Sequence, residues 1–166
     1  VSTIAAATTL LNKTNLHRLT VQPSTSVTFT QAYSGIFFMG EGWSLNANGQ
    51  DISDCHFIEA EVSGTYLAAT GPPDFHRSEL ATATIAPTHF HDCEVTGPVT
   101  LGVAGDYSFF NCHSGIAGTS SPVFNKTAGQ AVTVQFRRWS GGVEFNGIEP
   151  SDTMTISGEL GTVTLN

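Results

Sequence analysis

The chain has 166 residues, 40% of them hydrophobic and only 12% charged, and fourteen acidic residues against six basic ones give a formal charge of −8. That length suits one domain with a continuous core, and the negative field disfavours nucleic acid as a partner. No apolar run reaches the roughly 18 residues of a membrane helix, so membrane insertion is not expected. In chain order, the opening VSTIAAATTLL is the only stretch with helical character, and its Thr pair favours an extended or frayed segment. It has no basic leader region and reads as the cut edge of a longer protein, with residues 1–20 expected to form an N-terminal cap or linker. From there the chain is a series of short β runs broken by Gly, Pro, Asn and Asp: SVTFTQAY, GIFFMG, CHFIEAEVSG, THFHDCEV, GPVTLGVAG, YSFFNCHSG, AVTVQFRRWSGG, TMTISG and GTVTLN. Many short strands with frequent turn signals make an all-β domain, either a sandwich or a solenoid.

Internal repetition favours the solenoid. Asp54-Cys55-His56, Asp92-Cys93-Glu94 and Asn111-Cys112-His113 align with Cys separations of 38 and 19, one twice the other. Cys112-His113-Ser114-Gly115 continues the frame into Arg138-Trp139-Ser140-Gly141. A second column, Val99, Val123, Val143 and Val163, advances by 24, 20 and 20. Two columns moving together at about 20 residues describe the coils of a parallel β-helix, each burying its apolar side by stacking on its neighbours. A β-sandwich is the alternative, and it gives no reason for the columns. The expected body is residues 21–166, with Cys55, Cys93 and Cys112 as an inward structural ladder. Corners needing positive φ are assigned to Gly97, Gly102, Gly105, Gly115, Gly129, Gly141, Gly147 and Gly158. The Pro- and charge-rich segment from Gly71 to Glu79 is expected to protrude as a loop near residues 70–80.

Three cysteines exclude a closed disulfide framework and lack zinc-finger spacing, so buried reduced thiols and no metal are expected. With Cys inward, His56, Glu94 and His113 form an outward column, a polar ladder more than a metal site. His89 and His91 flank Phe90 and share one strand face. Acid pairs of the kind that cleave glycans are available at Glu59 and Glu61, Asp54 and Asp92, and Asp74 and Glu79, but none carries a local signature. No catalytic residue is therefore assigned and no cofactor is expected. Sugar binding needs aromatic platforms beside hydrogen-bonding groups, for which Tyr66, Asp74, Phe75, His76, Arg77 and Trp139 are the candidates.

In the C-terminal third, Ser108-Phe109-Phe110-Asn111-Cys112-His113-Ser114-Gly115-Ile116-Ala117-Gly118 is followed by Val134-Gln135-Phe136-Arg137-Arg138-Trp139-Ser140-Gly141-Gly142-Val143 and by the Thr-rich close TMTISGELGTVTLN. This order resembles the β-helical regions of tailed-phage tail fibres and tailspikes, over roughly residues 88 to 166. The resemblance implies a right-handed parallel β-helix, assembled as a homotrimer and exposed on the virion. It further implies a contact with bacterial surface polysaccharide or another receptor. Many such spikes also cleave the glycan, but no cleavage motif of the group is matched and the chain is short for an enzymatic spike, so a non-catalytic role is expected. The alternative is a glycan depolymerase, hydrolase or lyase, of the tailspike type. Arg137-Arg138-Trp139 is expected to be structural, with planar side chains covering the end of a coil or packing on a neighbouring subunit.

Overall fold

A computed structural model describes residues 4–14, 16–115 and 121–166. It is a β-solenoid of about seven turns with roughly 19 residues per turn. After helix α1 (Ile4–Thr14) come β1 (Arg18–Thr20), β2 (Ser26–Thr28), β3 (Phe37–Asn46), β4 (His56–Thr65), β5 (Asp74–His76), β6 (Glu79–Ile85) and β7 (His89–His91). The remaining strands are β8 (Glu94–Val95), β9 (Val99–Leu101), β10 (Gly105–Phe110), β11 (His113–Ser114), β12 (Val123–Lys126), β13 (Val132–Asn146) and β14 (Thr153–Leu165). Every strand pairing is parallel, as a winding backbone requires.

The registers define three faces. The first runs through β1, β5, β7, β10 and the opening residues of β3, β4, β13 and β14. The second runs through β2, β8, β11 and the start of β6, with the later parts of β3 and β4 and the middle of β13. The third joins the end of β6 to β9, β12 and the ends of β13 and β14.

Alternation on the first face sends one residue per coil inward, and these residues stack: Leu19, Phe38, Phe57, Phe75, Phe90, Phe109, Phe136 and Ile156. From Phe38 to Phe136 neighbouring ring centroids lie between 4.7 and 5.3 Å apart with nearly parallel planes. That spacing is the rung repeat itself. Each ring pair contributes about 0.5–1.5 kcal/mol beyond the area it buries. The aromatic column is the main support of the core.

Between the first and second faces the chain turns on single residues in the left-handed region. These are Gly42, Glu59, Arg77, Asp92, Asn111 and Arg138, with φ between 56° and 58° except for Arg77 at 47°. The residue after each points inward and forms a second column: Trp43, Ala60, Ser78, Cys93, Cys112 and Trp139, all buried. Small side chains fill the middle rungs and an indole closes each end.

Several sequence expectations are corrected here. Cys93 and Cys112 do stack, with the Cys93 N–H directed at Cys112 Sγ at 3.4 Å. Cys55 does not join them: its neighbours on adjacent rungs are Ile36 and Pro73, because His56 pairs with Phe37 and Asp74. It is buried two positions before the aromatic column, whereas the other two thiols lie three positions after it. Trp139, not Arg138, is the partner of Cys112, so the Arg138-Trp139-Ser140-Gly141 frame is offset by one residue. Of the valine column, Val143 and Val163 are in register, but Val99 pairs with Phe124 and Val123 with Glu144. Positive φ holds at Gly105, Gly129, Gly141, Gly147 and Gly158 but not at Gly97, Gly102 or Gly115, and the most regular corner is built largely without glycine.

No loop protrudes at residues 70–80. Asp74 to His76 is β5 and Glu79 opens β6, both paired on two sides. The coil from Phe75 to Phe90 is shorter than the one before it, from Phe57 to Phe75, so the chain has no length to spare there. The long coil runs from Phe109 to Phe136, and the Ile116-Ala117-Gly118 part of the sequence motif lies outside the described residues. The N-terminal segment is helical after all. Leu11 is buried and Ile4 packs on the same core, and this tertiary burial outweighs the weak propensity of the Thr pair. Thr14 Oγ1 donates back to the carbonyls of Leu10 and Leu11 at the helix end.

Candidate functional site

Alternation also fixes what the first face shows to solvent. One outward column runs Phe37, His56, Asp74, His89, Ser108, Gln135. The other runs Met39, Ile58, His76, His91, Phe110, Arg137. Four imidazoles therefore gather on three consecutive rungs, on a backbone fixed by the aromatic column behind them.

Asp74 sits between two of them. Its Oδ2 lies 3.2 Å from His56 Nδ1 and its Oδ1 3.0 Å from His89 Nδ1. One carboxylate thus orients two rings through their Nδ1 atoms. The His56 ring stacks on Phe37 at 4.1 Å with a 6° interplanar angle. In the other column His76 and His91 stack at 4.8 Å and 11°. Burial, and next the His91 imidazole, hold His76 below the ordinary histidine pKa. The series continues through Phe110, its ring 6.0 Å from that of His91, to the guanidinium of Arg138, 5.3 Å over the Phe110 ring. Beside it, the Arg137 guanidinium donates to Gln135 Oε1 at 3.0 Å. A shallow depression opens there between His89, His91, Ser108, Phe110, Gln135 and Arg137. Phe37 and Phe110 are 37% and 36% exposed, so both rings offer usable surface.

The aromatic sugar-platform candidates fare differently. Tyr66, Phe75 and Trp139 are buried at 1%, 0% and 0% exposure and cannot contact a ligand. The reason is register: Phe75 and Trp139 occupy the two inward columns, and Tyr66 Oη is engaged inside with Thr88 Oγ1 at 2.7 Å. Asp74 and His76 do reach the outer surface. Arg77 is exposed at the corner, but it turns away to Glu59, Nη2 to Oε1 2.9 Å. His56, Phe37, Phe110 and the pair Arg137–Arg138 complete the outward surface.

A second depression lies on the acidic side of that corner, between Glu41, Glu59, Glu61, Arg77 and Glu79. Glu61, Glu79 and Glu94 stack in register on the second face, and His113 follows them. His56 is on the other face, so His56, Glu94 and His113 are not one column. Asp54 and Asp92 also part, since Asp92 belongs to the corner column and Asp54 precedes Cys55. Asp74 and Glu79 face outward on different faces. The acids nearby have partners. Ser44 Oγ donates to Glu61 at 3.2 Å, Thr96 Oγ1 to Glu79 at 2.7 Å, and Asn111 Nδ2 to Asp92. Among the described residues no group of three or more His, Cys, Asp or Glu is placed to hold a metal ion.

A third polar column, on the third face, runs Thr65, Thr84, Thr100, Asn125, Asn146. Asn166 Nδ2 donates to Asn146 Oδ1 at 2.9 Å and Asn146 Nδ2 to Asn125 Oδ1 at 3.2 Å. These amides satisfy one another along the axis and serve the coil rather than a ligand. Comparison with protein families, with curated proteins and with solved structures finds no significant match to this chain.

Proposed function

We propose that this chain is a receptor-recognition section of a phage tail fibre or tailspike that holds bacterial surface polysaccharide on the outer side of its first face and does not cleave it. The observation that carries this reading is the row of outward rings and hydrogen-bonding groups from Phe37 to Phe110. Apolar ring faces pack on sugar C–H surfaces, and imidazole, carboxylate and hydroxyl groups between them bond to sugar hydroxyls. A rigid stacked backbone holds these groups in place before binding, which lowers the entropic cost of recognition. The tail-fibre assignment rests on the resemblance of residues 88–166 and on the solenoid architecture common to both. The non-cleaving reading is supported by the partners of Glu59, Glu61, Glu79 and Asp92. Assembly as a homotrimer exposed on the virion belongs to the same proposal and rests on the same resemblance.

The test is binding of the intact chain to purified lipopolysaccharide or capsule, with Phe37→Ala and Phe110→Ala as variants. Retention by the parent chain and loss in the double variant are expected. New reducing ends that disappear in Glu61→Gln would instead establish a depolymerase. Light scattering that returned the monomer mass of 17.5 kDa at micromolar concentration would remove the trimer.

A further inference from the structure

We propose that the outer side of the first face is a pH-gated site for an acidic polysaccharide, in which Arg137 anchors a sugar carboxylate or sulfate and the four imidazoles draw in the rest of the anionic chain once protonated. This inference rests on the glycan-binding reading and gives it a ligand class and a switch.

The anchor is built. Arg137 is held by Gln135, and its depression is walled by Phe110, His89 and His91, with Ser108 between them and Asp106 on the same lining, an acid the incoming anion must share the depression with. A planar guanidinium pairs well with carboxylate or sulfate oxygens, and the neighbouring ring supplies a surface for the sugar. From there the two outward columns lead across His89 and His91 to His76, Asp74 and His56, one rung at a time at about 4.8 Å. A polymer lying along the axis meets all of them.

The charge on this face depends on the imidazoles. The fixed charges near them are Asp74 on β5, Asp92 at the corner and Asp106 on β10, against Arg18 on β1 and Arg137 and Arg138 on β13, while Arg77 and Glu59 pair with each other at the corner. Above the histidine range these balance, so the face has no net attraction for a polyanion on a chain of formal charge −8. Protonation of His56, His76, His89 and His91 would add four positive charges and make the face cationic. The geometry tolerates this. Protonated His56 and His89 would each meet Asp74 at the ion-pair distances already present. His76 and His91 are stacked and oppose each other's charge, so His76, already held low, completes the change at more acid pH. An external anion lying across the pair relieves that repulsion, which couples proton uptake to ligand binding.

The probe is polygalacturonate, whose carboxylates remain ionised at both pH values, with dextran as the neutral control. Binding to the intact chain would be measured at about pH 7.5 and about pH 5.5. Polygalacturonate should bind on the order of tenfold more tightly at the lower pH, and added salt should reverse the gain. Arg137→Gln should weaken binding at both pH values. The variant with His56, His76, His89 and His91 all changed to Gln should bind equally weakly at both. Should that variant fail to fold by circular dichroism, His56→Gln/His89→Gln and His76→Gln/His91→Gln should each remove part of the gain. Equal affinity of the parent chain at the two pH values, or a gain that survives the His substitutions, overturns the inference. Host glycan bound with no pH dependence leaves the receptor reading standing while this one falls; no glycan bound at any pH removes both.

Discussion

Lys126 and Asp152 meet in the interior, with Nζ 3.0 Å from Oδ2 and both side chains fully buried. Lys126 takes the inward position that Leu101 fills on the rung before, so an ammonium stands where the pattern calls for a hydrocarbon. It is also bonded to Glu149 Oε2 at 2.6 Å. Asp152 accepts the backbone N–H groups of Glu149 and Val132 at 2.7 and 3.0 Å, which ties the turn before β14 to the coil beneath. Removing the Asp152 carboxylate leaves the ammonium with Glu149 alone and strips two backbone N–H groups of their acceptor, whereas removing the ammonium leaves a carboxylate still held by those two N–H groups. Asp152→Ala should therefore lower the urea midpoint more than Lys126→Met.

The same clasp gives a pH dependence of definite sign. Burial alone would raise Asp152, but the N–H groups of Glu149 and Val132 and the Lys126 ammonium outweigh it and hold the carboxyl low. Glu149 is lowered chiefly by its bond to Lys126. A carboxylate depressed in the folded state stabilises fully above its unfolded pKa, about 4, and that stability is lost as the pH falls through the folded value. The stability gap between the parent chain and Lys126→Met, followed by denaturation from pH 7 downward, should narrow below about pH 4.

The three cysteines should be silent toward an aromatic disulfide reagent in the native state. All are at most 1% exposed; burial pushes the Cys55 thiol up to about 11 and the bond to Cys93 followed by burial raises Cys112, while Cys93, lowered by its bond to Cys112, is kept from the reagent by burial alone. At about pH 8, where an ordinary thiol reacts, labelling should be negligible and should rise to three equivalents in guanidinium chloride.

Asn111 tests the left-handed corner. At φ of 56° a β-branched side chain meets the backbone, so Asn111→Val should cost about 1–2 kcal/mol. Asn111→Gly relieves the backbone and forfeits only the side-chain bond to Asp92, so its midpoint should stay near that of the parent chain.

Phe75 tests whether the 70–80 segment is core. Replacing a ring stacked between Phe57 and Phe90 with Ala should cost about 3–5 kcal/mol in urea denaturation. A protruding loop residue would show almost no change.

The sequence discloses the winding and its period more reliably than the registry of its columns. Cys93 and Cys112, one turn apart, stack as their spacing suggests. The doubled separation between Cys55 and Cys93 misleads, because the coil from Phe75 to Phe90 is short and the period is not constant. Several positions per coil point inward, so Cys55 satisfies an apolar pattern from a different column. Pro72 and Pro73 suggest a loop by composition, yet Pro73 stands just before β5 on an inward row, and the following His89 N–H reaches its carbonyl at 3.1 Å. For the outward surface, strand alternation alone places His89 and His91 together. That Asp74 bridges His56 and His89 depends on the unequal lengths of two successive coils, which local sequence does not announce. Glycine is the usual answer to a corner of positive φ; Glu59, Asp92 and Arg138 adopt the same conformation because the strands on both sides leave the chain no other course.

The column of Glu61, Glu79 and Glu94 places like charges one rung apart at the closest spacing the backbone allows. Side-chain repulsion there works against the stacking that the buried rings favour, and mobile cations diminish it within a Debye length of about 10 Å at 0.1 M. Brine should therefore tighten the winding, with the melting temperature climbing as sodium chloride is added up to the point where the column is fully shielded. Replacement of Glu79 by Gln should reproduce much of that gain in dilute buffer and flatten the response to salt.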